Sequence, residues 1–246
     1  MTTPIGPSYL TAHLAMKHPV LAAGACVAAI AWGIADPNKG YVLFTFDDIN
    51  MSDYSIAYPT LIDAGFPATV YVTDDNIGRD GYMGRSHLNL LNDWEIGQHS
   101  ITHPHLTQLD ESDMVSEIGT ATEDYKSFAS PFGDYNDVVI QKIKDAGYTS
   151  HVNAWSDLNG KNALPIQDAY NIHRFTVKYD MTSEDICAMA PAKDEAFILL
   201  IHKIVPDDFV GFTEWDMKQS TFEEVVNCFE GYNTTTVSKL IGVGKE

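Results

Sequence analysis

The chain has 246 residues, which is enough for one large domain or for one domain with an N-terminal extension. Hydrophobic residues make up 45% of the sequence and aromatic residues 11%, which suffices for a buried core and excludes a disordered chain. The 34 acidic and 15 basic residues give a formal net charge of -19. A surface of that sign repels nucleic-acid phosphates and anionic lipid, so we expect no nucleic-acid partner.

An apolar segment precedes the main domain, and we divide the chain into an extension at residues 1–39 and a domain at residues 40–246. Small apolar residues run from Val20 to Ile34, after Lys17 and His18. A weakly basic start followed by about 15 apolar residues is typical of a secretory signal, and it is short for a membrane span of about 20. The run also fits an anchor, or an apolar helix that packs on the domain or inside an assembly. Both interpretations stay open, and we expect an extracellular or surface-associated protein.

From Gly40 onward, short apolar strands alternate with amphipathic helices. In chain order, strands are predicted at Tyr41–Phe46, Ala68–Thr73, Glu95–Ser100, Ser127–Ser130, Tyr148–Asn153, Asn171–Val177, Ala196–His202 and Thr234–Leu240. Helices are predicted at Tyr54–Gly65, Leu88–Trp94, Asp110–Tyr125, Tyr135–Ala146, from Ser183 onward, and at Phe222–Phe229. Repeated strand–helix units imply an α/β fold with a parallel sheet, open or closed into a barrel. The functional site of such a fold gathers at the carboxyl ends of the strands.

The three cysteines, Cys26, Cys187 and Cys228, lie far apart and include no C-x-x-C pair. We therefore expect neither a thiolate zinc site nor a redox motif. A bridge between Cys187 and Cys228 is compatible with an oxidising compartment, and free buried thiols are an equally good interpretation.

Polar residues that can carry chemistry follow three of the predicted strands. Asp47 and Asp48 come directly after an apolar strand, where adjacent carboxylates are costly unless a metal or hydrogen bonds stabilise them. His99 and His103 are four residues apart, so one turn of helix would place both imidazoles on one face, as zinc ligation requires. His202 ends another apolar strand. Taken singly, these features also fit a solvated turn, a histidine-rich surface loop and a structural histidine.

Together, the three features supply what a metal-assisted hydrolase needs. One carboxylate and two imidazoles can hold a metal, a second carboxylate can act as a base, and a third imidazole can act as an acid. Their common position at strand ends favours a single site.

These residues stand in motifs that resemble those of the NodB-type polysaccharide deacetylases, carbohydrate esterase family 4. The TFDD motif is Thr45–Asp48, the histidine pair of the second motif is His99 and His103, and the third motif is represented by Ala129–Gly133. The last motif, L-x-H, is matched by Leu200–His202. The resemblance covers most of the chain after residue 40, and it implies a distorted (β/α) barrel of the polysaccharide deacetylase type.

By this resemblance, Asp48, His99 and His103 hold a divalent metal. Asp47 is then the general base for a metal-activated water, and His202 is the acid that protonates the departing group. One carboxylate and two imidazoles suit Zn2+, and such ligand sets also accept Co2+ or Ni2+.

The resemblance assigns further residues around this centre. The backbone N–H of Phe132 joins the metal in stabilising the oxyanion. Pro131, Trp155 and Leu200 contribute to substrate binding, with Leu200 as the apolar wall of the acetate pocket. Trp155 and Asp157 are the nearest match to the family's fourth motif. For Trp155 and Leu200, ordinary packing is the alternative interpretation.

The third motif departs from the family pattern, because Ala129 stands where an arginine usually orients the catalytic aspartate. Arg174 lies near another predicted strand end and is a candidate replacement. A role in an ordinary surface ion pair is the alternative for Arg174.

The resulting hypothesis is a metal-dependent hydrolase that removes acetyl groups from a carbohydrate. N-acetylglucosamine units of a polysaccharide are the first expected substrate, and O-acetyl sugar esters come next, so the expected partner is an acetylated polysaccharide or oligosaccharide. Two other hypotheses remain: hydrolysis of a small cyclic amide by the same fold, and a structural or glycan-binding role in a larger assembly. Residues 1–39 would serve anchoring or assembly in the last case.

Overall fold

The computed structural model describes residues 36–154 and 159–245. The predictions made for Val20–Ile34, Cys26, Trp155 and Asp157 lie outside these residues, and the division of the chain at residue 39 stays a prediction. Among the described residues, no helix combines the length and the apolar character that crossing a membrane requires.

Eight strands form one sheet, and two short strands form a separate pair within the described ranges. The strands of the large sheet are β1 (Tyr41–Asp47), β2 (Ala68–Val72), β3 (Glu95–Gln98), β4 (Tyr125–Ala129), β5 (Ser150–Val152), β6 (Lys161–Ala163), β7 (Phe175–Thr176) and β8 (Glu195–Ile201). The separate pair consists of β9 (Lys203–Val205) and β10 (Asp216–Lys218).

The large sheet is parallel except for β6, which runs antiparallel to β8. Its strands follow the order β5-β4-β3-β2-β1-β8-β6, and β7 also pairs with β8. An isolated parallel bridge between Val152 and Ile172 joins the end of β5 to the segment that leads into β7. The sheet therefore curls back on itself as a distorted barrel, which confirms the predicted fold class.

Helices cover the outside of the sheet. They are α1 (Tyr58–Asp63), α2 (Arg85–Leu88), α3 (Glu111–Ile118), α4 (Asp137–Asp145), α5 (Ser183–Cys187), α6 (Gln219–Cys228) and α7 (Val237–Leu240). Asn136 begins α4 by accepting hydrogen bonds from the N–H groups of Val138 and Val139, as an N-cap residue does. The apolar stripes of α3 and α4 pack against β4, where Phe128 is fully buried.

The first strand, β1, is central because both of its faces are apolar. It lies between β2 and β8, in parallel register with each. Phe44 and Phe46 face the helical layer, where the ring of Phe222 lies 6.2 Å and 6.3 Å from theirs. Leu43 faces the barrel interior, and the period of two residues along a strand directs Asp47 to the same side. The strand therefore leads a carboxylate into the carboxyl end of the barrel.

Two predicted helices differ in the structure: one is shorter than predicted, and the other is replaced by turns. The helix predicted over Asp110–Tyr125 ends at Ile118 because Gly119 adopts a φ of 67°, and Tyr125 instead begins β4. The helix predicted over Leu88–Trp94 is replaced by turns that follow α2. Asparagine and aspartate residues in that stretch favour turns over helix.

The C-terminal segment, predicted as a strand over Thr234–Leu240, forms α7 instead, so this prediction is wrong. Side chains of the sheet bind the first amides of α7. The N–H of Val237 donates to Oγ1 of Thr69 over 3.1 Å, and the N–H of Ser238 donates to the Glu95 carboxylate over 2.8 Å. These acceptors satisfy amides that a helix start leaves unpaired, and this outweighs the strand preference of the threonines.

A disulfide between Cys187 and Cys228 connects α5 to α6. The bridge spans 41 residues of sequence and ties together two helices of the outer layer. Of the two interpretations that the sequence left open for these cysteines, the structure has the bridged one.

We expect the double variant Cys187→Ser with Cys228→Ser to lose about 4 kcal/mol of unfolding free energy, since the bridge restricts a loop of that length in the unfolded chain. Urea unfolding of the oxidised protein and of the variant measures the difference. Dithiothreitol should lower the midpoint of the oxidised protein and leave that of the variant unchanged. Equal midpoints for the two oxidised proteins would contradict this expectation.

Candidate active site

The carboxyl ends of three strands of the large sheet bring the predicted polar residues together. Asp47 ends β1 and Asp48 follows it, while His99 and His103 follow β3. His202 follows β8, on the other side of β1. The sequence order of the motifs thus becomes one cluster at one end of the barrel.

Asp48, His99 and His103 form a group whose ligand atoms all lie within 4.8 Å of one another. The Nε2 atoms of the two histidines are 3.2 Å apart. Oδ1 of Asp48 lies 3.6 Å from Nε2 of His103 and 3.9 Å from Nε2 of His99. Three atoms that can donate electron pairs therefore converge on one point.

This arrangement fits a divalent cation. Ligand atoms about 2.1 Å from a tetrahedral centre lie about 3.4 Å from one another, close to the spacings of Asp48, His99 and His103. Neutral imidazoles are the form that binds metal, and burial together with the nearby His99 lowers the pKa of His103 below its usual range. The described part of the chain therefore holds a candidate metal site with the three predicted ligands.

The backbone of the third motif orients one of these ligands. Nδ1 of His99 lies 2.7 Å from the carbonyl oxygen of Ala129, to which it donates its proton. That hydrogen bond leaves the lone pair on Nε2, which faces His103 and Asp48. Ala129, which replaces the motif arginine, thus helps to orient His99 through its main-chain carbonyl group.

Backbone strain is concentrated in this cluster. Six non-glycine residues of the described chain have positive φ, and five of them belong to the site or its rim: Asp48, Ile49, Ser100, His103 and Phe132. The left-handed region costs energy for residues with a Cβ, and such residues persist where the surrounding structure enforces them. Here the strained positions turn the chain so that ligands leave the ends of β1 and β3 towards one point.

Arg174 lies inside the barrel and binds Asp47 with two parallel hydrogen bonds. The two guanidinium nitrogens lie 2.7 Å and 2.8 Å from the two carboxylate oxygens. Nε of Arg174 donates to the carbonyl oxygen of Asn153 over 2.7 Å, and Nη1 lies 3.2 Å from Oγ1 of Thr45. Both charged groups are almost fully buried, and the guanidinium lies 5.2 Å from the centre of the Tyr71 ring. The contact with Asp47 is not that of an ordinary surface ion pair.

This pairing keeps Asp47 ionised. Burial acts to raise the pKa of its carboxyl, but the charges of Arg174 and His99 and the Arg174 hydrogen bond outweigh burial and hold the pKa well below the usual range. Asp47 also lies 3.7 Å from Nε2 of His99. A permanently charged carboxylate therefore stands beside the candidate metal site.

His202 lies on the β8 side of the cluster and is largely buried. Burial lowers the pKa of its imidazole, and the charges of Asp47 and Asp48 offset part of that effect. Its Nδ1 atom has no hydrogen-bond partner among the described residues. Its ring lies 5.9 Å from that of Trp215. A neutral imidazole at this position can take up a proton or pass one to a bound molecule.

The remaining predicted residues lie around the cluster. Pro131 is buried at the start of a short turn, and the exposed ring of Phe132 lies 4.5 Å from that of His103. Leu200 is fully buried in β8, two residues before His202. The roles of Phe132, Pro131 and Leu200 in binding or stabilising a substrate stay predictions, and Trp155 lies outside the described residues.

A buried Ser–His pair supports the third motif, and no sequence motif reveals it. Oγ of Ser130 lies 2.9 Å from Nε2 of His151, and Nδ1 of His151 donates to the carbonyl oxygen of Tyr170 over 3.0 Å. Burial lowers the pKa of His151 to about 4, so the imidazole is neutral near pH 7. The only sequence signal was the place of His151 inside a predicted strand.

Comparison with known proteins adds to this geometry. The model of the polysaccharide deacetylase family matches residues 35–151. This segment belongs to the polysaccharide deacetylase family. It includes Asp47, Asp48, His99 and His103, whereas Arg174 and His202 lie beyond it.

Two sequence relatives of the deacetylase segment are known from bacteria. YxkH of Bacillus subtilis, which bears the name of a polysaccharide deacetylase, is 24% identical over 156 residues, 59% of this chain and 54% of YxkH. The bifunctional xylanase/xylan deacetylase of Cellvibrio japonicus is 26% identical over 146 residues, 54% of this chain and 21% of that protein. The chain thus spans about half of the first relative and a smaller part of the second.

Solved structures of deacetylases share the fold. The deacetylase PplD of Streptococcus pyogenes, in complex with acetate, has a TM-score of 0.53 and 20% identity, covering 61% of this chain and 70% of that chain. The family 4 carbohydrate esterase of Streptomyces lividans, in complex with acetate, has a TM-score of 0.53 and 18% identity. The match covers 80% of this chain and 92% of the esterase chain. At these identities the likeness establishes the distorted barrel of carbohydrate esterase family 4.

Replacing Arg174 by methionine should lower the unfolding free energy by about 3–5 kcal/mol at pH 7, because Asp47 would remain buried without its partner. Urea unfolding in the presence of a chelator measures the change on the metal-free chain. The double variant Arg174→Met with Asp47→Asn should recover part of the loss, since an amide carries no charge to compensate. Additive losses in the double variant would mean that the pair is not coupled.

The His151 pair predicts a specific pH dependence. The folded-state pKa of about 4 lies below the usual value of 6.5, so the contribution of His151 is complete above pH 6.5 and is lost as the pH falls towards 4. The loss amounts to about 3 kcal/mol. The variant His151→Gln, measured by urea unfolding at several pH values, should show a correspondingly shallower dependence. Parallel curves for the two proteins would contradict this expectation.

Proposed function

We propose that the protein is a metal-dependent hydrolase that removes acetyl groups from a carbohydrate, with N-acetylglucosamine units of a polysaccharide as the first candidate. The observation that carries this proposal is the convergence of Asp48, His99 and His103 next to the Arg174-paired carboxylate of Asp47. Three metal ligands beside a separate, ionised carboxylate are the groups that metal-assisted hydrolysis of an acyl bond requires.

A divalent cation held by Asp48, His99 and His103 would supply a Lewis acid at the acetyl carbonyl and would make water easier to deprotonate. Zn2+ suits this ligand set best, and Co2+ or Ni2+ are alternatives.

The side chains next to the metal site divide the proton transfers between them. Asp47, held in one orientation by Arg174, accepts a proton from the attacking water as the new C–O bond forms. His202, neutral at rest, takes up a proton and gives it to the departing nitrogen or oxygen as the bond to the acyl carbon breaks. Acetate and a free amine or hydroxyl are the products, and the proton that Asp47 accepted from water replaces, through solvent, the one that His202 gives away.

The backbone N–H of Phe132 is our candidate for a second stabiliser of the oxyanion. A donor of this kind commonly accelerates acyl transfer by about 10²–10³-fold. Phe132 has a left-handed backbone, with a φ of 58°, and its ring lies 4.5 Å from that of the candidate ligand His103.

An extracellular or surface location agrees with one feature of the chain and with the proposed substrate. The disulfide between Cys187 and Cys228 is typical of proteins from oxidising compartments. Acetylated polysaccharides of cell walls are found outside the cytoplasm, and two solved relatives are named for peptidoglycan or carbohydrate substrates.

Acetate release from a panel of acetylated glycans tests the proposal. Chitooligosaccharides, peptidoglycan fragments and acetylated xylan would each be incubated with the chain, once with added zinc and once after chelation. We expect zinc-dependent release from at least one of them. Absence of release from all three, or release that a chelator does not affect, would contradict the proposal.

Two substitutions separate metal binding from proton transfer. Asp47→Asn should lower turnover by about 10²–10⁴-fold while zinc remains bound, because the amide cannot accept the proton. His103→Ala should lose both turnover and zinc, because it removes a ligand. Acetate release and metal content measure the two effects. His87→Ala, in α2 outside the cluster, is the matched control and should retain both; full activity in Asp47→Asn would refute the assigned base.

A further inference from the structure

The loop between β9 and β10, residues 206–215, presents apolar side chains to solvent. Phe209, Val210 and Phe212 are 36%, 87% and 48% exposed. Large apolar groups that remain exposed together on a soluble protein commonly mark a surface that binds another molecule. Neither the metal site nor the proposed proton transfers use these residues.

Hydrogen bonds at both ends give this loop a defined shape. At its start, the carboxylate of Asp207 accepts hydrogen bonds from the N–H and the hydroxyl of Ser220, over 3.1 Å and 2.9 Å. At its end, Asp216 accepts the N–H of Thr213 over 2.8 Å, and the hydroxyl of Thr213 accepts the N–H of Trp215 over 3.3 Å. The side chains of the loop therefore stand on a fixed backbone.

Phe212 lies flat against Tyr179. The two rings are 3.5 Å apart at their centroids and differ in plane by 5°. Since one face of Phe212 is covered by Tyr179, its 48% exposure belongs to the opposite face and the edge. The ammonium of Lys218 lies 4.9 Å from the centre of the Tyr179 ring and supports it. The pair thus offers one flat apolar face to solvent.

The same loop reaches the candidate active site through Trp215. The ring of Trp215 lies 5.9 Å from that of His202, and the ammonium of Lys178 lies 4.7 Å from the centre of the Trp215 ring. Lys178 pairs with Glu214 over 3.1 Å, and the N–H of Tyr179 donates to the carbonyl oxygen of Glu214 over 3.0 Å. The segment of Lys178 and Tyr179 is therefore bound to the loop at Glu214, next to the residue that contacts His202.

A second group of aromatic rings lies on the other side of the candidate active site. The exposed ring of Phe132 stacks on His105 at 4.0 Å, next to the candidate metal ligand His103. These residues follow β3 and β4, whereas Trp215 and Phe212 belong to the β8 side. The cluster at the end of β1 therefore lies between two sets of aromatic rings.

We propose that Trp215 and the stacked pair of Phe212 and Tyr179 form a platform that binds sugar units next to the acetylated one. The apolar face of a pyranose ring packs on a flat aromatic ring, and Lys178 and Glu214 offer hydrogen bonds to its hydroxyl groups. A platform outside the metal site contacts only a substrate that is longer than one sugar unit, so it favours a polymer over a small amide or a single sugar. This inference rests on the proposed function, whose substrate it narrows.

The charge of the molecule supports a glycan as the occupant. An exposed apolar loop could also insert into a membrane, but a formal net charge of -19 repels anionic lipid. A neutral acetylated glycan meets no such repulsion.

Calorimetric titration with hexameric glycans tests the platform on the chelated full-length chain, so that no hydrolysis interferes. The probes are chitohexaose, acetylated xylohexaose and a peptidoglycan fragment of three disaccharides, with N-acetylglucosamine as the short probe. The variant Phe212→Ala with Tyr179→Ala should bind the best hexamer about tenfold more weakly, since it removes both stacked rings. Its affinity for the single sugar should not change.

Two further variants separate stacking from loss of apolar surface. Phe209→Ala with Val210→Ala removes two exposed apolar groups from the same loop and should bind like the unmodified chain. Phe212→Tyr keeps a flat ring and should also retain affinity. Equal binding of the hexamer by the platform variant and the unmodified chain would overturn the platform, as would failure of the unmodified chain to bind any hexamer.

Hydrolysis is scored separately and distinguishes the two proposals. If zinc-dependent acetate release occurs with an unchanged KM in the platform variant, the platform is wrong and the function stands. If the platform variant loses hexamer binding but the unmodified chain releases no acetate, the function is wrong and the platform stands as a glycan-binding surface. Sedimentation with phosphatidylglycerol vesicles that depends on Phe212 and Tyr179, without an effect on glycan binding, would assign the loop to a membrane and overturn the platform.

Discussion

The bidentate ion pair between Arg174 and Asp47 is the contact on which the rest of the site depends. Two buried charges are tolerated only when each compensates the other and the remaining hydrogen-bonding groups are satisfied, and here Thr45 and the carbonyl oxygen of Asn153 complete the set. Arg174 lies in the segment that closes the barrel between β5 and β8, and Asp47 ends the central strand. The ion pair therefore joins the segment that closes the barrel to the strand end that carries the site.

The residues next to Asp47 are also held in defined orientations. Asp48 follows directly, and its left-handed backbone directs its carboxylate towards the two histidines that leave β3. His99 is held from behind by the carbonyl oxygen of Ala129, and the motif that supplies this oxygen is supported by the buried pair of Ser130 and His151. The site is thus oriented mainly by main-chain groups and by side chains outside the group of Asp48, His99 and His103, which is the usual way to hold such groups in a narrow range of geometry.

The sequence predicted the elements whose pattern is strong and local. Strand β1, with apolar residues on both faces, and the motif residues at strand ends were predictable, and so was their convergence, because parallel strands share a carboxyl edge. The contact between Arg174 and Asp47 could be suggested only through the family resemblance, since 127 residues separate the two. Helix α7 was mistaken for a strand because its first turn is stabilised by side chains of the sheet, which no local pattern reveals. The Ser130–His151 pair and the platform loop likewise depend on contacts between distant segments.

We have proposed that Asp48, His99 and His103 are the ligands of a single catalytic cation. Anomalous diffraction at the zinc absorption edge, from crystals of the full-length chain grown with zinc, locates the bound ion. We expect one strong peak within bonding distance of Asp48 Oδ1 and the Nε2 atoms of both histidines, and its loss in crystals of His103→Ala. A zinc peak held by other residues, with none at this position, would rule out this metal site.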